Sequence, residues 1–117
     1  MKIDFDTLLE GAEDAEALLK SLSNSNRLLI LCQLIDGEKS VGELESVIEI
    51  RQPTLSQQLA RLRKDELVAT RRDGKTIYYR MASAESRAVI ELLYKLYCNP
   101  ERLAERRKRR SPRFETV

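Results

Sequence analysis

The stretch "RQPTLSQQLARLRKDELVATRRDGKTIYYRM", Arg51 to Met81, changes its hydrophobic period halfway along. Leu55, Leu59 and Leu62 recur at steps of four and three residues, the spacing of one helix face. Thr54, Gln57, Arg61 and Lys64 then fall on the opposite face, with Ser56 at its flank. Pro53 suits the first helical turn, where its missing N–H would have had no partner. From Val68 the pattern alternates. "VATRRDGKTIYYRM" reads as two strands joined at Asp73-Gly74, the signal for a type I′ hairpin.

Before this stretch, "SVGE" (Ser40–Glu43) pairs a serine with a glutamate three residues later, a capping box. The short helix behind it carries Val41, Leu44 and Ile48 on one face. Further upstream, "SNSN" (Ser23–Asn26) offers capping oxygens for a helix from about Asn26 to Ile35. That helix is apolar almost all round and is expected at the centre. Phe5, Leu8, Leu9, Ala12, Ala15, Leu18 and Leu19 mark an amphipathic first helix, with Gly11 its weak point. Downstream, Ser83 can cap a last helix with a stripe of Val89, Leu92, Leu93 and Leu96. Cys98 ends it before Asn99-Pro100. The expected fold is mainly α with a β-hairpin wing: a short helix, a tight turn, a polar-faced helix and a basic hairpin make a winged helix-turn-helix.

Composition narrows the function. The chain of 117 residues is 42% hydrophobic and 34% charged, a globular balance for one domain. Its first twenty residues are too acidic for a secretion signal, and no apolar run reaches the length of a membrane span. A cytoplasmic protein without membrane contact is the expectation. The chain has no histidine, no phosphate loop and no convergent carboxylate pair, which argues against an enzyme. Two cysteines, no histidine and no Cys-x-x-Cys motif argue against a metal site, and no cofactor is expected. The net charge of +2 hides a basic end: Arg102–Val117 holds seven basic and two acidic residues. "RRKRR" (Arg106–Arg110) can track phosphates, but such runs are more often solvated tails.

The polar face points to double-stranded DNA. Glutamine pairs bidentately with adenine and arginine with guanine, while serine and threonine reach base edges or phosphates. Arg71, Arg72 and Lys75 cluster at the hairpin tip, where they can grip the backbone or enter a minor groove. Each feature alone reads as an ordinary polar surface; their order favours DNA binding.

From about Ala15 to Cys98 the chain resembles the ArsR/SmtB family of dimeric winged-helix repressors, most specifically in "QPTLSQQLARLRKDELVATRRDGKTIYY". The resemblance implies that this helix enters the major groove and that the hairpin is the wing. The DNA-contact set is then Gln52, Thr54, Ser56, Gln57, Gln58 and Arg61, with Arg71, Arg72 and Lys75 on the wing. It implies a homodimer built on the first and last helices. Residues 1–100 are expected to form the domain, with dimerisation helices at both ends, and 101–117 a flexible basic tail. The family's Cys-x-Cys metal motif is absent from "KSVGELESV", and its Asp/His site lacks histidine here.

Cys32, in "RLLILCQL", lies among leucines, which raises a thiol's pKa and also suits core packing. Together with Cys98 in "LYC" it resembles the dithiol (BigR/HlyU/SqrR-like) branch, which senses persulfides or oxidants. That resemblance implies a disulfide or polysulfide bridge between Cys32 and Cys98 that lowers operator affinity, with a reactive sulfur or oxidant species as effector. The other readings are a constitutive winged-helix regulator with structural cysteines and, in a different class, a dimeric protein-interaction adaptor.

Overall fold

The computed structural model describes the backbone of residues 1–115 and the side chains of residues 1–109. Its elements run α1 (Phe5–Leu22), α2 (Ser25–Leu34), β1 (Lys39–Ser40), α3 (Val41–Ile48), α4 (Thr54–Lys64), β2 (Val68–Asp73), β3 (Thr76–Met81), α5 (Ala84–Tyr97) and α6 (Pro100–Glu115). The mainly helical, winged architecture expected from the sequence is the one observed.

Helix α2 takes the centre. Ile30, Leu31 and Leu34 are buried, and the helix packs against α1, α3, α4, α5 and β3. Asn24 caps it by accepting a hydrogen bond from the Arg27 backbone N–H at 3.1 Å; such a cap is worth about 1 kcal/mol. The capping box opens α3. Ser40 Oγ accepts from the Glu43 N–H at 3.2 Å, and a Glu43 carboxylate oxygen accepts from the Ser40 N–H at 3.0 Å. Leu55, Leu59 and Leu62 seat α4 on α2 with no more than 1% exposure, each burial being worth roughly 1.5–3 kcal/mol.

The end of α4 is a turn that the leucine pattern does not announce. Glu66 adopts φ 61°. The Leu67 N–H bonds the Leu62 carbonyl at 2.9 Å and the Glu66 N–H bonds the Arg63 carbonyl at 3.0 Å. This is a Schellman stop with glutamate where glycine is usual. Leu67 and Val68 are buried next, which directs the chain into the sheet.

That sheet has three strands, not two, in the order β1-β3-β2. Lys39 and Ser40 pair with Tyr79 and Tyr78 of β3. A two-residue strand carries no readable alternation, so only the pairing reveals it. The hairpin closes one residue later than expected: Asp73 pairs with Thr76, so Gly74 and Lys75 form the loop. Among the loop residues only Gly74 has a positive φ, of 63°. That is the sign pattern of type II′ rather than the expected type I′.

Helix α5 is capped by Ser83, whose Oγ accepts from the Ser86 N–H at 3.0 Å. Its buried positions are Ser86 and Ile90; Val89, Leu93 and Leu96 are half-buried and Leu92 is exposed. From Pro100 to Glu115 the chain forms helix α6, within the stretch expected as a flexible basic tail. The Asn99 side chain accepts from the Glu101 N–H at 2.9 Å, Pro100 leads the first turn, and the residues that follow are mostly strong helix formers. Phe5, Leu8, Leu9 and Leu19 of α1 and Leu92, Tyr94 and Tyr97 of α5 remain exposed. No described helix is long and apolar enough to cross a membrane.

Candidate DNA-binding face and thiol pair

The first turn of α4 projects from the end of α3 across the turn at Pro53. Ser56, Gln57 and Arg61 are exposed and Thr54 is half-buried. Gln52, just before the helix, donates from Nε2 to Glu45 Oε1 at 2.8 Å, and its Oε1 accepts from Ser56 Oγ. Gln57 is exposed and makes no side-chain hydrogen bond among the described residues.

Two further contact residues expected on α4 are also bonded to other partners. Gln58 is half-buried, and its Oε1 accepts from Arg27 Nη1 at 2.9 Å. Arg61 donates from Nε to Asp65 Oδ2 at 2.7 Å, one turn along the same helix. Spacing puts Arg61 on the polar face and the resemblance adds Gln58; packing against the α1–α2 corner engages Gln58, and Asp65 at the end of the same helix engages Arg61.

That corner is organised by Arg27, a residue the sequence reading passed over. It is 8% exposed and is the one charged residue of α2. Its Nε donates to the Ser21 carbonyl at 2.6 Å, Nη2 to the Lys20 carbonyl at 3.2 Å and Nη1 to Gln58. One guanidinium therefore closes the C-terminus of α1 and ties α2 to α4. A lone arginine in a buried helix was the available signal. Ser21 Oγ in turn donates to Asp65 Oδ2 at 2.5 Å.

The Ser21 hydrogen bond, and then Arg61, hold the Asp65 carboxyl below its ordinary value of 3.8. A carboxylate with a depressed folded pKa stabilises the fold above the unfolded value, and the contribution is lost as pH falls through the folded value. Asp65→Asn should therefore lower stability at neutral pH. The gap to wild type should close in acid, as pH falls through the lowered folded value, as seen in urea midpoints across a pH series. A constant gap at every pH would show that the Asp65 charge is not what stabilises the corner.

On the wing, Arg71 donates from Nε to both carboxylate oxygens of Glu38 at 2.9 Å and stacks 4.5 Å from the centre of the Tyr78 ring. That bond holds the Glu38 carboxyl below its usual range. Arg71 is thus anchored part-way along β2, to the residue just before β1. Arg72 and Lys75 stand exposed nearer the loop, without an ion pair among the described residues.

The two thiols are both free. Cys32 is half-buried on α2 and lines a cleft of about 510 Å³ together with Gln33, Ile35, Ile90, Tyr94 and Lys95. Burial pushes its thiol pKa up, and the nearby Cys98 adds to the shift. Cys98 is exposed and caps the end of α5, its N–H bonding the Tyr94 carbonyl at 2.8 Å. Ile90, Tyr94 and Cys98 follow at four-residue steps, so Cys98 continues the α5 face that walls the Cys32 cleft. Arg106 of α6 returns to this end of α5. It donates to the Leu96 and Tyr97 carbonyls and lies 5.0 Å from the Tyr97 ring centre. Among the described residues no cluster of three potential metal ligands occurs.

Two helices joined by a tight turn, the second polar outward, and a basic hairpin beside them define a winged helix-turn-helix regulator. Residues 24–70 match the model of the bacterial regulatory protein arsR family. The transcriptional activator HlyU of Vibrio cholerae is 54% identical over 89 residues, covering 76% of this chain and 82% of the relative. A solved structure described as reduced HlyU from Vibrio cholerae is similar at TM-score 0.76 and 47% identity, covering 81% of this chain and all of the other. The transcriptional repressor BigR of Xylella fastidiosa is similar at TM-score 0.79 and 43% identity, covering 83% of this chain and 99% of the other. The chain belongs to the arsR family of bacterial regulatory proteins. It is a transcription regulator, in keeping with the expectation that it is not an enzyme.

Proposed function

We propose that this chain is a homodimeric, operator-binding repressor whose DNA affinity falls when Cys32 and Cys98 of one subunit become bridged. The observation that carries the reading is the Cys32 cleft, walled by the same helix that ends at Cys98. A bond between the two thiols acts on α5 directly. The open apolar faces of α1 and α5 support the dimer. The exposed Gln57, with Thr54 and Ser56 beside it, supports base reading, and Arg72 and Lys75 support backbone contact. That a relative's structure is described as reduced supports a role for thiol state.

The bridge needs only a persulfide as oxidant. Cys98 takes the outer sulfur of a persulfide R–S–SH, releasing R–SH. The Cys32 thiolate then attacks the Cys98 Sγ, forming the disulfide and releasing hydrogen sulfide. If both cysteines carry an added sulfur, the same displacement gives a trisulfide and hydrogen sulfide.

Gel shifts on an operator duplex test the DNA half of the reading. Gln57→Ala should weaken specific binding by roughly 1–3 kcal/mol while leaving random-sequence binding unchanged. Arg72→Ala should weaken both alike and flatten the salt slope. Unaltered binding by both variants would remove α4 and the wing as the reading surface.

A further inference from the structure

We propose that Glu45, which lies outside the recognition helix, determines which bases Ser56 can read. The inference rests on the operator-binding reading above and adds a specificity determinant to it.

The argument is one of hydrogen-bond direction. A carboxylate only accepts, so the Gln52 atom 2.8 Å from Glu45 Oε1 must be the amide nitrogen. Glutamine's two amide orientations are otherwise hard to tell apart; here the partner's chemistry chooses one. With its nitrogen turned to Glu45, Gln52 turns its oxygen to Ser56. That oxygen also only accepts, so Ser56 must donate its single hydroxyl hydrogen to it. Ser56 is left with lone pairs and no hydrogen.

A free serine hydroxyl can read either kind of base edge. By donating it reaches guanine O6 and N7, thymine O4 or adenine N7. By accepting it reaches the amino groups of cytosine or adenine. The relay Glu45–Gln52–Ser56 removes the first option. Ser56 is exposed at the third position of α4, on the turn that faces outward. The base it meets should therefore carry a major-groove amino group, cytosine or adenine.

The test is selection from a library of duplexes with randomised half-sites, followed by gel shifts on the four base variants at each position. Wild type should show one position per half-site preferring cytosine or adenine by about five- to tenfold. Glu45→Gln replaces the carboxylate with an amide that both donates and accepts. The relay then loses its direction, and that preference alone should fall below about twofold, with the other positions unchanged. Ser56→Ala should lose the same preference, and adding Glu45→Gln to it should change nothing further at that position. A uniform rise in affinity in Glu45→Gln, with base preferences intact, would overturn the inference and leave the operator reading standing. A Ser56-dependent preference for guanine or thymine would overturn it as well. A wild type that selects no sequence at all would overturn both.

Discussion

Wild-type protein exposed to an excess of a low-molecular-weight persulfide should lose at least about tenfold in operator affinity, and a thiol reductant should restore it. Tenfold corresponds to about 1.4 kcal/mol, within the usual range for coupling between two sites. Cys32→Ser and Cys98→Ser should each bind like the reduced wild type and stay bound after treatment, because one modified sulfur cannot make a cross-link. Intact-mass analysis should find the released wild type lighter by two hydrogens for the disulfide, or heavier by one sulfur less two hydrogens for the trisulfide.

The order of events follows from access. Cys98 is exposed at the end of α5, whereas Cys32 is half-buried with its thiol pKa raised. The first sulfur transfer should therefore fall on Cys98, and the Cys98→Ser variant should react with persulfide far more slowly than Cys32→Ser. The proposed bridge would draw the end of α5 toward α2, and α2 is tied to α4 through the shared leucine core and the Arg27–Gln58 bond. Paired recognition helices tolerate little change in spacing, so a small displacement suffices. Normal release by either serine variant would rule out the bridge as the switch. A wild type indifferent to persulfides and peroxides alike would leave Cys32 as core packing in a constitutive regulator.

The second large effect is on stability. Arg27→Ala should lower the unfolding free energy by about 3 kcal/mol. It leaves the Ser21 carbonyl and the Gln58 amide oxygen without their donor, and the Lys20 carbonyl with the Ser23 N–H alone, at a largely buried corner. Gln58→Ala removes one of those three bonds and should cost about 1 kcal/mol. Arg27→Lys keeps the charge but not the three-way geometry, and should fall between them. Urea unfolding at one fixed protein concentration measures all three, since the proposed dimer would make the midpoint depend on concentration. A loss below about 1 kcal/mol for Arg27→Ala would mean that water replaces the guanidinium and that the corner is not held by it.

The sequence by itself determined the elements and their kind. Leu55, Leu59 and Leu62 have one spacing that buries them all, and only a helix provides it. Ser40 with Glu43 and the serine at position 83 are caps whose bonds reach three residues at most, so local order suffices to read them. The strands on either side of Gly74 were legible from alternation, although the loop's type depended on a register of one residue. The polar face of α4 was legible for the same reason as its apolar face.

Tertiary structure decided which polar groups stay available. Gln57 and Gln58 are neighbours with the same side chain, yet one faces outward and the other meets Arg27, 31 residues away. Arg71 and Arg72 are neighbours too, and Glu38, 33 residues from Arg71, engages one of them. The two-residue strand β1 exists only because β3 lies beside it. The cleft at Cys32 needs α5 to cross α2. Periodicity reports the direction a side chain leaves its own helix or strand. What it meets there is set by chain segments dozens of residues distant, and no local pattern encodes their arrival.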